Sequence, residues 1–308
     1  MIYTHKEQTI LSNCNLCPRK CNADRLNKQL GFCKTDSRIA VASICLHKGE
    51  EPVLSNDKGI CNIFFSHCNL QCIYCQNHQI SHNNTPPAYM ELDDVVMQIT
   101  NVLKDSSNVV GFVSPSSHIV QMQAIIKALR NKGLNPAIVY NTNSYDDVDT
   151  LKTLENVVNV YLADMRYADS HLAEKFSNAK DYPAKAVSAL KEMYRQKGSS
   201  LLTDVDNNIE SGLIIRILCL PLMNAHTKQI LRLIAEEISP NVQISLLSQY
   251  FPPFPMPFAE LNNSLSQDEY DEITDYALDL GFSKIFTQEL NSASVYQPDF
   301  SNDQPFNI

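Results

Sequence analysis

The sequence has no tryptophan, only eight glycines and no hydrophobic run long enough to cross a bilayer. Its longest apolar stretch, Leu213 to Met223, is interrupted by Arg216 and is far shorter than the roughly 20 residues of a transmembrane helix. The first sixteen residues include His, Lys, Glu and Gln, where a secretion signal has an unbroken apolar segment. We therefore expect no membrane association and a cytoplasmic location.

Basic residues are also scarce, with 25 Lys and Arg against 34 Asp and Glu, for a net charge of -9. Nucleic-acid binding needs clustered positive charge to displace counterions from phosphates, so we expect no nucleic-acid partner. The chain has 308 residues, of which 44% are hydrophobic. This composition excludes disorder over most of its length and allows a full core in one or two domains.

Cysteine, in contrast, is abundant at the front of the chain. Nine of the ten cysteines fall between Cys14 and Cys75. Cytoplasmic thiols are kept reduced, so this pattern indicates metal binding rather than a disulfide framework. Three of the ten cysteines, Cys45, Cys61 and Cys219, lie in apolar surroundings, and we interpret them as core thiols.

The loop Cys68-x3-Cys72-x2-Cys75 directly follows an apolar run at 60–65. Structural zinc prefers four protein ligands in a closed tetrahedron, whereas three thiolates leave one position open. An iron–sulfur cluster accommodates three cysteines because each iron takes its own ligand. A zinc site completed by Cys61, or a group of core thiols, are the alternatives.

A second group, Cys14, Cys17, Cys21 and Cys33, places four thiols within twenty residues. The segment around them is rich in Asn, Lys and Arg and poor in apolar residues, so it cannot fold alone. A metal would supply the missing folding free energy. The spacing leaves open zinc, a second [4Fe-4S] cluster or unmetallated thiols.

From residue 60 onward, apolar runs alternate with helical periodicity, which is typical of parallel strands joined by helices. Predicted strands lie at 60–65, 109–113, 137–140, 157–162, 213–220 and 242–247. Predicted helices lie at 91–104, 119–129, 146–155, 183–197, 226–238 and 266–280. Six such units indicate a parallel α/β sheet, closed or half closed into a barrel, with ligands at the carboxyl ends of its strands. We divide the chain into a Cys-rich metal-binding segment (1–58), this barrel (59–290) and a C-terminal tail (291–308).

The three-cysteine loop resembles that of the radical S-adenosylmethionine (SAM) enzymes, including the aromatic Tyr74 just before its third cysteine. About residues 10–300 resemble uncharacterised iron–sulfur proteins related to the pyruvate formate-lyase activating enzymes. The segments that carry this resemblance are 17–21, 64–66, 68–77, 138–142, 161–164, 167–169, 248–250 and 292–294.

This resemblance implies a partial (β/α)6 TIM-type barrel with a [4Fe-4S] cluster on Cys68, Cys72 and Cys75. It further implies reductive cleavage of SAM to a 5'-deoxyadenosyl radical that abstracts hydrogen, and a flavodoxin- or ferredoxin-like reductant. The family's substrate would be a glycine of a glycyl-radical-type partner enzyme. The rival hypothesis is a non-catalytic zinc or iron–sulfur module that acts through protein partners.

The resemblance also implies which side chains lie near SAM. They are Tyr74, Ser114, Ser116, Asn141, Thr142, Asp164, Arg166 and Arg216. In related enzymes the residue at the position of Tyr74 contacts the adenine and the residue at Arg216 binds the SAM carboxylate. The two serines stand where the superfamily has Gly-Gly-Glu, a segment this chain lacks because no two of its glycines are adjacent.

The residues alone leave alternatives open at several of these positions. Arg216 could instead be a strand arginine paired with an acid, and Asp164 with Arg166 could be a salt-bridged strand end. Likewise, Asn141 and Thr142 could act only as turn formers.

Overall fold

The structure is a computed structural model that describes residues 2–306. Residues 1, 307 and 308, at the outer ends of the predicted segments 1–58 and 291–308, lie outside the described residues. The strands are β1 (Ile39–His47), β2 (Ile60–Phe65), β3 (Tyr89–Met90), β4 (Val109–Val113), β5 (Ala137–Thr142), β6 (Val160–Asp164), β7 (Leu202–Thr203), β8 (Ile209–Leu218), β9 (Gln243–Leu247) and β10 (Ile285–Thr287).

Helices follow most of the strands. They are α1 (His5–Ser12), α2 (Pro52–Ser55), α3 (His78–Ser81), α4 (Leu92–Leu103), α5 (Ile119–Asn131), α6 (Val148–Lys152), α7 (Ser170–Ser177), α8 (Tyr182–Lys197), α9 (Asn224–Glu237), α10 (Gln267–Asp279) and α11 (Ser292–Val295). Three short 3₁₀ helices lie at Arg25–Asn27, Pro115–Ser117 and Ala259–Asn262. Across residues 2–306, no helix combines the length and the apolar character that a bilayer crossing requires.

The strands form one sheet in the order β10-β9-β8-β6-β5-β4-β2-β1-β3, with β7 paired to β8. All neighbours from β2 to β10 along this path are parallel, and β1 pairs antiparallel with β2. Within the described residues, the two ends of the path do not pair with each other. The prediction of a parallel, partly closed barrel is confirmed.

The six predicted strands are all present, and the sheet has further strands that the sequence patterns did not reveal. β10 is only three residues long, too short for a periodic signal. β1 lies within the predicted segment 1–58 and extends the main sheet from the amino-terminal side. The helices α4, α5, α8, α9 and α10 begin and end within about two residues of their predicted bounds.

Strand residues alternate between two faces of the sheet, because successive side chains point to opposite sides. One face packs against the helices and contributes Cys61, Val110, Ile138 and Tyr161 to the main core. The other face encloses a smaller apolar cluster that Leu54 of α2 completes. Its other buried members are Ile60, Val109, Val139, Val160, Leu162, Ile209 and Ile214.

The enclosed face becomes polar toward the carboxyl ends of the strands. Two residues beyond this apolar cluster, β2, β5, β6 and β8 present Asn62, Asn141, Asp164 and Arg216. A step of two residues keeps a side chain on the same face, so all four point into the enclosed interior beyond the apolar cluster. Strand pairing places Asp164 opposite Arg216 and Asn62 opposite Gly111.

We predict that Gly111→Ala destabilises the protein by about 1 to 3 kcal/mol, because the added methyl group overpacks a closed interior. Its Cβ atom would collide with the side-chain oxygen of the buried Asn62. Anaerobic urea denaturation followed by circular dichroism measures the free energy of unfolding.

The matched control is Gly212→Ala, another strand glycine. Its new Cβ atom would meet only the end of the Leu201 side chain, which can rotate away, so we expect a loss below about 1 kcal/mol. Equal losses in the two variants would contradict this account of Gly111.

Candidate functional site

A cavity of about 1200 Å³, which includes space open to solvent, lies at the carboxyl ends of the parallel strands. Cys68, Cys72 and Cys75 line it together. Of the side chains predicted near SAM, seven also line it: Tyr74, Ser114, Asn141, Thr142, Asp164, Arg166 and Arg216. Side chains far apart in the sequence therefore meet at the predicted edge of the sheet.

Ser116 does not line the cavity. It is 1% exposed, and its hydroxyl lies 3.2 Å from the hydroxyl of Thr142. The Pro115–Ser117 3₁₀ turn follows Ser114, whose backbone is left-handed at φ 57°. This turn places Ser114 on the cavity wall and Ser116 behind it, so the prediction that both serines meet SAM fits only Ser114.

The three-cysteine loop is held by the residues that flank it. His67, just before Cys68, has a left-handed backbone with φ 68°, a conformation that costs a non-glycine residue about 1 to 3 kcal/mol. Its two ring nitrogens lie 2.9 Å from the carbonyl oxygen of Cys33 and 2.7 Å from that of Thr85. These contacts offset the strain and fix the direction in which the chain enters the loop.

Each of the three sulfur atoms has a polar neighbour. The Asn143 amide donates to Cys68 Sγ at 3.3 Å, and the Ser177 hydroxyl donates to Cys72 Sγ at 3.0 Å. The hydroxyl of Ser81 lies 3.0 Å from Cys75 Sγ. Hydrogen bonds to cysteine sulfur tune the reduction potential of an iron–sulfur cluster. Sequence reasoning missed Ser81 and Ser177, because single serines outside any motif give no signal.

Burial dominates the acid–base chemistry of the loop. It raises the pKa of the Cys68 thiol to about 12 and also raises the pKa of Cys75. A metal must therefore displace these protons when it binds. The chemistry of the donors, three soft sulfur atoms around one cavity, fits a cluster with one iron left open.

The alternative of a zinc site completed by Cys61 does not fit. Cys61 is fully buried in the main core and does not line the cavity. Cys45 and Cys219 are also fully buried, as predicted for core thiols. Among residues 2–306, no three His, Cys, Asp or Glu side chains are arranged to hold a single metal ion.

Tyr74 belongs to a buried hydrogen-bonded chain that ends at Cys72. Its hydroxyl lies 2.6 Å from that of Tyr167, which lies 2.7 Å from the hydroxyl of Ser177. Ser177 in turn donates to Cys72. Burial is the main cause that raises the pKa of Tyr74, so its phenol remains protonated and keeps its role as a donor or acceptor in this chain.

Arg216 lies at the centre of a network of ions. Its Nε donates to Asp164 at 2.9 Å, and its Nη atoms donate to Glu50 at 3.2 Å and to Asn141 at 2.8 Å. Arg166 donates to the other oxygen of Asp164 at 2.5 Å. The alternative of a strand arginine paired with acids is thus realised, and Arg216 nevertheless lines the cavity.

A guanidinium has five N–H donors, and these contacts engage three of those on Arg216. These contacts leave two of its N–H donors unused. Glu50 is a part of this network that the sequence did not reveal, since it precedes β2 within the predicted Cys-rich segment. It also accepts a hydrogen bond from Asn62 at 2.8 Å, which ties it to β2.

Thr142 is engaged in the turn that follows β5. Its hydroxyl donates to the buried Asp146 at 2.5 Å and accepts from the backbone of Ser144 at 3.1 Å. The role of turn former, one of the two alternatives for this residue, therefore has direct structural support.

The C-terminal segment covers one side of the cavity mouth. Tyr296, Pro298 and Phe306 line the cavity. The ring of Phe306 lies 4.3 Å from that of His47, and the ring of Phe300 lies 5.2 Å from that of Phe64. This aromatic contact restricts access of water to the cavity from that side.

Comparison with known proteins gives one family and several similar structures. The family described as the Radical SAM superfamily matches residues 62–234, more than half of the chain. The uncharacterized protein MJ0674 of Methanocaldococcus jannaschii is 28% identical over 280 residues, which cover 88% of this chain and 75% of that protein.

Two solved structures are similar at 12% sequence identity, which concerns the fold alone. A radical SAM methyltransferase from Sphaerobacter thermophilus has a TM-score of 0.56, covering 76% of this chain and 67% of its own. SuiB of Streptococcus suis bound to S-adenosylmethionine has a TM-score of 0.51, covering 74% of this chain and 50% of its own. The present chain therefore spans about half the length of SuiB, which has also been crystallised with its precursor peptide SuiA.

We predict that Glu50→Gln lowers the free energy of unfolding by about 1 to 3 kcal/mol, because it removes a charged hydrogen-bond acceptor from a buried arginine. The loss stays in this range since Arg216 keeps Asp164 as a partner. The control Asp149→Asn breaks an exposed ion pair with Lys152 and should cause no measurable change. Urea denaturation compares the two, and an unchanged Glu50→Gln variant would contradict the network's importance.

Proposed function

The chain belongs to the radical SAM superfamily, and from that membership we propose that it is a hydrogen-abstracting enzyme with its cluster on Cys68, Cys72 and Cys75. The observation that carries this assignment is the meeting of three thiols, each with a polar neighbour, with the Arg216 network in one cavity. The chemistry that a bound [4Fe-4S] cluster and SAM supply is reductive cleavage of the sulfonium bond to a 5'-deoxyadenosyl radical.

In this proposal the chain's own residues bind SAM and orient it at the cysteine loop. We assign the two free N–H donors of Arg216 to the SAM carboxylate, a task that suits a planar guanidinium. Asn143, Ser177 and Ser81 hold the sulfur atoms in place through their hydrogen bonds. The aromatic side chains of the C-terminal segment limit water at the mouth of the cavity.

For the subtype, we propose an oxidoreductase similar to the activating enzymes, which takes hydrogen from a glycine of a partner enzyme. The resemblance of the segments at 64–66, 68–77, 138–142, 161–164 and 167–169 supports this reading. The use of the same fold by SuiB, which binds a precursor peptide, is compatible with a polypeptide substrate. The absence of two adjacent glycines separates this chain from the Gly-Gly-Glu pattern of the superfamily.

The cellular location, the electron donor and the cofactors that we propose are chosen to suit the reduced thiols. We place the enzyme in the cytoplasm, where cysteines stay reduced, with a flavodoxin- or ferredoxin-like protein as the electron donor. The proposed cofactors are one [4Fe-4S] cluster, SAM and a second metal, zinc or iron–sulfur, at Cys14, Cys17, Cys21 and Cys33.

We predict that Cys72→Ser loses the cluster and abolishes release of 5'-deoxyadenosine and methionine from SAM. Anaerobic reduction with dithionite and chromatography of the products measure this release. The control is Cys219→Ala, which removes a buried thiol that does not line the cavity, and it should retain both iron and SAM cleavage. Wild-type protein that contains zinc and no iron, or full iron without SAM cleavage, would favour the non-catalytic metal module.

A second prediction concerns the substrate class. Reduced protein mixed with SAM and a glycyl-radical-type enzyme should give the doublet of a glycyl radical in electron spin resonance. A mixture that lacks SAM is the control. If SAM is cleaved and none of the partner enzymes acquires a radical, the activating-enzyme subtype is wrong while the radical SAM assignment stands.

A further inference from the structure

The four amino-terminal cysteines meet around a second, smaller cavity of about 350 Å³, which includes space open to solvent. Cys14, Cys17, Cys21 and Cys33 all line it, and none of them lines the large cavity. A short antiparallel bridge between Cys14 and Ala23 closes the chain on itself, with a 3.0 Å hydrogen bond from the Cys14 nitrogen to the Ala23 oxygen. The fold thus gathers thiols that are up to nineteen positions apart in the sequence.

Backbone atoms approach one of these sulfur atoms closely. The Phe32 nitrogen donates to Cys21 Sγ at 3.2 Å. A Cβ atom at Gly31 would lie 2.9 Å from the same sulfur, so only glycine leaves room for it there. Amide donors directed at sulfur are typical of thiolates that carry negative charge.

The second observation is a buried arginine side chain that forms no ion pair. Arg25 is 1% exposed, and within residues 2–306 its guanidinium forms no ion pair with a carboxylate. It donates to the carbonyl oxygens of Asp36 and Ser117 and to the hydroxyl of Thr35, and its Nη1 lies 3.9 Å from Cys14 Sγ. A buried charge is costly unless an opposite charge accompanies it.

A second guanidinium lines the same cavity. Arg19 lies over the rings of Phe32 and Tyr145 and donates to the carbonyl oxygens of Asn69 and Asn178. Its Nη2 is buried and has no hydrogen-bond partner. No carboxylate side chain lines this cavity, so two positive charges face four sulfur atoms.

We propose that Cys14, Cys17, Cys21 and Cys33 hold a four-thiolate metal centre whose negative charge is balanced by Arg25 and Arg19. Since no three described His, Cys, Asp or Glu side chains are arranged to hold a single metal ion, a multi-iron core fits this cavity better than Zn²⁺. With an oxidised [4Fe-4S] core, four thiolates leave a net charge of about −2. Two arginines match that charge. Neutral thiols, in contrast, would leave the buried Arg25 guanidinium with only the more distant Asp36 carboxylate as a counter-charge.

This centre also positions the loop that carries the other three cysteines. Arg19 donates to the Asn69 carbonyl at 3.0 Å, and the Cys33 carbonyl lies 2.9 Å from the His67 ring. The Asn83 amide donates to the Phe32 carbonyl, while its oxygen accepts from the Cys68 nitrogen. These hydrogen bonds therefore connect the amino-terminal segment to the residues on both sides of Cys68.

The direct test is a variant without the three loop cysteines. Cys68, Cys72 and Cys75 are replaced by Ala, the protein is purified anaerobically, and its iron, sulfide and zinc are measured. We expect about four irons with sulfide per chain, whereas about one zinc per chain would replace the cluster with a mononuclear site. These two results distinguish the two metals. A variant that is metal-free as purified, and that takes up neither Zn²⁺ nor ferrous iron with sulfide, would overturn the proposal.

If that variant does not fold by circular dichroism, the otherwise wild-type chain with Cys21→Ala and Cys33→Ala decides the same question. We expect it to lose all its zinc, or about four of about eight irons. Unchanged metal content would overturn the proposal. Neither measurement involves SAM cleavage, so failure of the metal-centre proposal can be distinguished from failure of the proposed enzyme function.

The role of Arg25 is tested by release of the metal to a chelator. Loss of a partner outside the ligand shell typically costs 10- to 100-fold in metal affinity. We expect Arg25→Met to weaken binding by about that factor and Arg25→Lys to restore part of it. The control Arg195→Met removes a half-exposed arginine that pairs with Glu155 and lines neither cysteine cavity, so it should leave binding unchanged. Equal affinity in Arg25→Met and wild type would contradict charge balance as the role of Arg25.

Discussion

The burial of cysteine sulfur atoms away from water is the constraint on which the rest of this structure depends. Cys68 and Cys72 are buried and Cys75 is only partly exposed. Burial raises the pKa of Cys68 and Cys75, so at neutral pH these thiols are poor nucleophiles without a cation. They suit a metal, which supplies the charge that water cannot. The Asn143 amide and the Ser177 hydroxyl donate hydrogen bonds to two of these sulfur atoms, which suits their charged form.

Ion pairs between opposite charges hold the other wall of the cavity in place. Arg216 and Arg166 face Asp164 and Glu50 in a network in which positive and negative charges balance. Because Arg216 is held from three sides, the directions of its remaining N–H groups are fixed. These contacts therefore hold the guanidinium in one orientation at the cavity wall.

The sequence predicts the elements with strong local signals. Apolar runs and helical periodicity locate the six main parallel strands and the five long helices, and the cysteine spacing locates the loop. It does not predict Glu50, Ser81 or Ser177, since their importance arises only from contacts with residues distant in the chain. Ser116 shows the converse: its position in the sequence suggests the cavity, but a single 3₁₀ turn directs it away. Neighbours in sequence do not share a face, and only the backbone path decides which one reaches the ligand.

The antiparallel pairing of β1 with β2 explains why the two cysteine groups are neighbours. In such a pair, the start of one strand lies beside the end of the other, and here Val41 pairs with Phe65. Cys33 precedes β1 and Cys68 follows β2, so both groups must emerge at the same end of the sheet. The strand that local patterns failed to reveal is thus the element that joins the amino-terminal segment to the cavity. The hydrogen bond between the Cys33 carbonyl and the His67 ring joins the two groups directly at this end of the sheet.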